Sequence, residues 1–134
     1  MTIEEKMWNL ISKLDEMTGK EKLDWKTTQG KRSFQVDFEK FTVRISEEDR
    51  PQEGEDYDQI VQDYVISVFD GTGTLVERAS DVTIQTSLKT LAPGKAFQTM
   101  RKLYDRARRF ALGVDEALDS LLTSLKELDD DIPF

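Results

Sequence analysis

Apolar residues along this chain change their period twice, and the changes divide it. Ile3, Met7, Leu10, Ile11 and Leu14 recur at helical spacing behind Thr2-Ile3-Glu4-Glu5, where Thr2 caps the N-terminus and Glu5 answers it three residues on. The spacing predicts a helix over Ile3–Thr18, with Gly19 as its stop. A period of two follows. Leu23, Trp25 and Thr27 alternate with polar residues, Gln29-Gly30 turns the chain, and Phe34, Val36 and Phe38 alternate in a second strand. The apolar phase then flips to Phe41, Val43 and Ile45. A one-residue flip predicts a turn or bulge at Glu39-Lys40 and two strands rather than one. The shared face of Phe34, Val36 and Phe38 reads as core.

Ser46 to Asp58, acidic and holding Pro51 and Gly54, predicts a loop. Ile60 to Phe69 is apolar on both faces and predicts a strand inside the sheet. Asp70-Gly71-Thr72-Gly73 predicts a hairpin turn, with Leu75–Ala79 returning. Asp81 to Pro93 is Ser/Thr-rich and carries no readable period. From about Gly94 the helical period resumes through Phe97, Met100, Leu103, Tyr104, Ala107, Phe110 and Ala111. Gly113 interrupts it. Val114, Leu118, Leu121, Leu125 and Leu128 then repeat at 4-3-4-3 spacing, a short zipper-like seam that predicts pairing in a homodimer. The order predicts an α+β domain over residues 1–128: an N-terminal helix, an antiparallel sheet of four to five strands and two C-terminal helices, not an OB barrel.

Composition narrows the chemistry. Among 134 residues there is no His and no Cys, which removes Ser-His-Asp and Cys-His catalysis, thiolate zinc sites and disulfides. No cofactor is expected, and the reading is non-enzymatic. Carboxylate-only chemistry, as in Mg²⁺-dependent nucleases or glycosidases, stays open; with 27 Asp and Glu, a suggestive pair is uninformative. No stretch approaches the ~20 apolar residues of a membrane span. The acidic start Met1-Thr2-Ile3-Glu4-Glu5 is unlike a secretory leader, so the expected location is cytoplasmic.

Net charge is −8, which by itself opposes nucleic-acid binding. The acid is segregated, however. Glu47 to Asp58 holds seven acids against Arg50, and Glu127 to Asp131 holds four more. The remainder is slightly positive. Lys26, Lys31, Arg32, Lys40 and Arg44 lie in or beside the first three strands, interleaved with Trp25 and phenylalanines. That combination suits single-stranded DNA, which needs phosphate contacts and aromatic platforms. On the long helix Lys95, Lys102, Arg106 and Arg109 fall within roughly 60° of one another, opposite the apolar arc.

The chain as given closes on Asp129-Asp130-Asp131-Ile132-Pro133-Phe134: three carboxylates, then a short apolar tip. Read as a C-terminus, it docks ring-first into an apolar pocket, with the terminal carboxylate and aspartates on a basic rim. These six residues resemble the C-terminal tip of bacterial single-stranded-DNA-binding proteins (SSBs). The resemblance implies recruitment of replication and repair enzymes, and competition between tip and DNA. It implies no OB fold here, because the Gly/Gln/Pro-rich linker of that family is missing. Element order and the leucine spacing resemble a second family, the non-OB ThermoDBP type of single-stranded-DNA-binding protein, which implies DNA binding on a helix-and-sheet domain. Two other readings stand beside these. One is an SSB-tip mimic or interaction module that does not bind DNA. The other is a small acidic dimer that resembles secretion chaperones, although the helix that family places between its third and fourth strands is missing from the predicted order.

Overall fold

The computed structural model describes residues 1–51 and 60–130. The elements run α1 (Ile3–Gly19), β1 (Lys26–Thr27), β2 (Ser33–Asp37), β3 (Phe41–Pro51), β4 (Ile60–Asp70), β5 (Leu75–Ser80), α2 (Asp81–Ser87), α3 (Lys95–Ala111) and α4 (Val114–Asp130). The strands form one antiparallel, open sheet in the order β1-β2-β3-β4-β5. This is the predicted α+β arrangement, with four helices among the described residues and no closed barrel. No helix among those residues is long and apolar enough to cross a membrane.

The phase flip after Phe38 is a turn. Phe38 N donates to Phe41 O at 2.8 Å, and Glu39-Lys40 form the tip. At the next hairpin Asp70 Oδ1 accepts from Thr72 N, Thr72 Oγ1 and Thr74 N at 2.7–3.0 Å. Those donors hold its carboxyl below the usual carboxylate range, with the Thr72 side chain the largest cause.

Every second residue of the sheet faces the helices. Cross-strand pairing puts Phe34 beside Ile45, Ile45 beside Ile66 and Ile66 beside Ala79, with Val36, Val43 and Val68 in the adjoining row. α3 covers this face through Ala96, Met100, Leu103, Tyr104 and Ala107, and α1 adds Met7, Ile11 and Leu14. Tyr104 is tilted against both Phe34 (5.6 Å between centroids) and Tyr64 (5.4 Å), a geometry that favours aromatic contact beyond area burial.

Several expectations change. Phe38, expected in the core, is 45% exposed because it lies past the last β2 pair, beyond the helices' reach. Ser46–Pro51, expected to begin a loop, continues β3, which pairs with β4 out to Ile60. The rest of that expected loop, residues 52–58, lies outside the described residues. The stretch without readable period holds α2. Ser80 caps it, its Oγ accepting from Thr83 N at 3.1 Å, and Ile84 is buried beneath it. Gly19 does not stop α1; it is the last helical residue, and Glu21 takes the left-handed conformation at φ 57°. A Cβ at Gly19 would sit 2.8 Å from Arg106 Nη1, so the glycine makes room for an arginine of α3.

Asp81 fastens α2 to the sheet: its Oδ1 accepts from Tyr64 N at 2.9 Å. Burial raises its pKa above the ordinary 3.8. A raised folded-state pKa means the folded chain holds this proton more tightly than the unfolded chain. The resulting stabilisation is complete below 3.8 and is lost as pH climbs through the folded value. Asp81→Asn keeps the acceptor and removes the ionisation. The stability of this variant relative to the parent is expected to rise between acid and neutral pH in urea titrations; a difference that does not change with pH contradicts it.

Candidate nucleic-acid interface

Because the core uses one face of the sheet, alternation sends the intervening residues to the other. No helix among the described residues packs there. Pairing aligns Lys26 with Gln35, Gln35 with Arg44, Arg44 with Ser67 and Ser67 with Arg78. This row crosses all five strands, and at ~4.8 Å per strand it is about 19 Å long. A second row runs Ser33, Ser46, Val65 and Ser80; a third runs Asp37, Thr42, Phe69 and Leu75. Small serines therefore floor the centre of the face, with longer basic side chains around them. A shallow depression of about 570 Å³ lies over Ser33, Ser46 and Ser67, edged by Lys31, Arg44 and Arg78.

Arg44 stands at the middle. Its guanidinium carbon is 4.8 Å from the Phe69 ring centre, and Nη2 donates to Gln35 Oε1 at 3.1 Å. Its Nε is buried with no protein partner, as is Ser33 Oγ. Among the described residues Arg44 has no carboxylate partner, whereas three other cations of this face do. Lys26 pairs with Asp37 at 3.5 Å, Arg78 with Glu48, and Arg50 with Asp63 at 2.9 Å.

The structure sorts the other expected residues. Trp25 is buried at 2% exposure, and its Nε1 donates to Thr18 Oγ1 at 2.9 Å. It is a core residue between α1 and the sheet, so it offers no ring face to a base. Arg32 points to the helix side, where Nε meets Glu47 at 2.9 Å and Nη2 meets Asp49 at 2.8 Å. The Asp49 and Glu47 bonds raise its pKa further, and Arg32 in turn holds Asp49 low. Glu47 also accepts from Tyr64 Oη, whose pKa is raised first by burial and then by that bond.

The basic face of α3 divides. Lys102 Nζ lies 3.0 Å and Arg106 Nη1 3.1 Å from the carboxylate of buried Asp15, so both join α3 to α1. Lys95 and Arg109 are exposed and lie in no ion pair among the described residues. Lys31 and Lys40 are likewise exposed, in turns at the rim of the open face. Phe38 and Phe41 stand beside Lys40, each nearly half exposed.

Asp129 and Asp130 end α4, while Asp131, Ile132, Pro133 and Phe134 lie outside the described residues. In the leucine seam Val114 is half-buried, and Leu118, Leu121, Leu125 and Leu128 are exposed.

The sequence reading missed Arg78, Phe69, Gln35 and Ser67. Their signal was parity: each lies out of phase with a core neighbour, Ala79, Val68, Phe34 or Ile66. Comparison with protein families, with curated proteins and with solved structures returns no match for this chain.

Asp15→Ala strands Lys102 and Arg106 at the α1–α3 seam. It is expected to lower unfolding free energy by about 1.5–3 kcal/mol in urea titration, the range for hydrogen bonds to charged groups. A loss within error of zero contradicts the clamp.

Proposed function

We propose that this chain is a non-enzymatic single-stranded-DNA-binding protein that holds its ligand across the open face of the sheet. The observation that carries the reading is the row Lys26-Gln35-Arg44-Ser67-Arg78, left uncovered by any described helix, with Arg44 stacked on Phe69 and paired with no carboxylate among the described residues. Arg44 and Arg78 take phosphates, joined by Lys31 and Lys40 at the rim. Phe69, with Phe38 and Phe41 at the hairpin end, supplies ring faces for bases. The serine floor lets the strand approach the sheet. Lys95 and Arg109, on the helix layer, are not part of this track. The Asp129–Phe134 segment recruits replication and repair enzymes, as its likeness to the SSB tip implies.

One observation favours the rival reading of an interaction module that does not bind DNA. The Lys26–Asp37, Arg78–Glu48 and Arg50–Asp63 pairs already neutralise three cations of the same face.

Anisotropy of a labelled oligo-dT separates the two. Binding is expected at low salt and to weaken as salt rises. Arg44→Ala reduces the slope of log K against log salt by about 0.7, the value for one phosphate on a single strand. Phe69→Ala costs about 1–3 kcal/mol. Absence of binding at low salt overturns the proposal. If an SSB-tip-binding enzyme is then still retained, and released on removal of residues 131–134, the interaction module is selected.

A further inference from the structure

Among the described residues, nothing covers the apolar face of α4 from Leu118 to Leu128. Leu118, Leu121, Leu122, Leu125 and Leu128 are 54–64% exposed. A 17-residue helix is marginal in water when its apolar side stays wet, because most helical stability in proteins comes from packing that side. A heptad frame with Leu118 and Leu125 at a, and Val114, Leu121 and Leu128 at d, fixes the place of every other residue. Asp119 falls at b, Glu127 at c, and Glu116 at f, all away from the seam. Lys126 also falls at b. The flanks of the seam are Ala117 and Ser124 at g, and Asp115, Leu122 and Asp129 at e.

These flanks distinguish the possible pairings. In a parallel, in-register pair each g residue faces the e residue five positions on in the other helix. Ala117 then meets Leu122 of the second copy, a short apolar side chain giving space to a long one. Ser124 meets Asp129 of the second copy, a hydroxyl donor opposite a carboxylate. No two acids oppose each other across the flanks. In an antiparallel pair e faces e, and Asp115 opposes Asp129 on both sides of the seam, which is repulsive. The acidic outer positions remain in water in the parallel arrangement. We infer that α4 pairs with α4 of a second copy of this chain, parallel and in register, through Leu118, Leu121, Leu125 and Leu128 with Leu122 seated over Ala117. The inference does not depend on DNA binding.

The chain has no cysteine, so introduced ones report the register directly. In the full chain, Leu118→Cys and Leu125→Cys are each expected to form a self-disulfide under mild oxidation, since facing seam positions lie within disulfide reach. Sedimentation at micromolar concentration is expected to give twice the chain mass, falling to one chain mass in Leu121→Asp and unchanged in Ser120→Asp on the outer side. Loss of α4 leaves the domain core intact, so the urea midpoint of the Leu121→Asp variant separates dissociation from unfolding. A monomeric parent chain overturns the inference, and so does a dimer that persists in Leu121→Asp. Bridging of Leu118→Cys to Leu125→Cys without self-bridging overturns the parallel register.

Discussion

The packing of α3 on one face of the sheet is the contact from which the remaining features follow. Its apolar arc, from Ala96 through Met100, Leu103 and Tyr104 to Ala107, is fully buried against the Phe34-Ile45-Ile66-Ala79 row. Burial of that row makes the strand register costly to change, because a slip by one residue would bring Arg44 and Ser67 under the helix. The same helix presents Lys102 and Arg106 on its flank, and these fix α1 through Asp15. One element thus sets the sheet register, positions the first helix and leaves the far face of the sheet uncovered by the described helices.

Charge follows the same geometry. The net −8 is not spread evenly. Along β3 and β4, acids and arginines alternate between the two faces and find partners across strands: Arg32 with Glu47 and Asp49 on the helix side, Arg78 with Glu48 and Arg50 with Asp63 on the other. Exposed pairs of this kind contribute little stability each. Their effect here is on potential: they cancel most of the local charge and leave Arg44 as the prominent cation at the middle of the open face.

Much of the fold was legible because local signals agreed with the packing. Thr2 caps α1 as the sequence predicts, with Glu5 N donating to its Oγ1 at 3.1 Å. The phase flip at Glu39-Lys40 and the Asp70-Gly71 turn both close hairpins. What was not legible depends on long-range partners. The second half of β3 looks like a loop because its residues are polar on both faces; its extended form coincides with pairing to β4 and with arginines distant in sequence. α2 is short, and it is buried mainly at Ile84, so no period shows. Trp25 looks like a ligand platform beside Lys26, but the Thr18 hydroxyl that receives its indole proton lies in another element. Arg44 was found from its charge, whereas Phe69 and Arg78 needed the register that only pairing supplies.

That buried indole has a further use. Of the two tryptophans, Trp25 is sealed between α1 and the sheet, and Trp8 rides half-sheltered on α1 itself. Both chromophores sit on the helix layer, separated from the open face of the sheet by its full thickness. Tryptophan emission in this molecule is therefore an optical gauge of whether the first helix is seated.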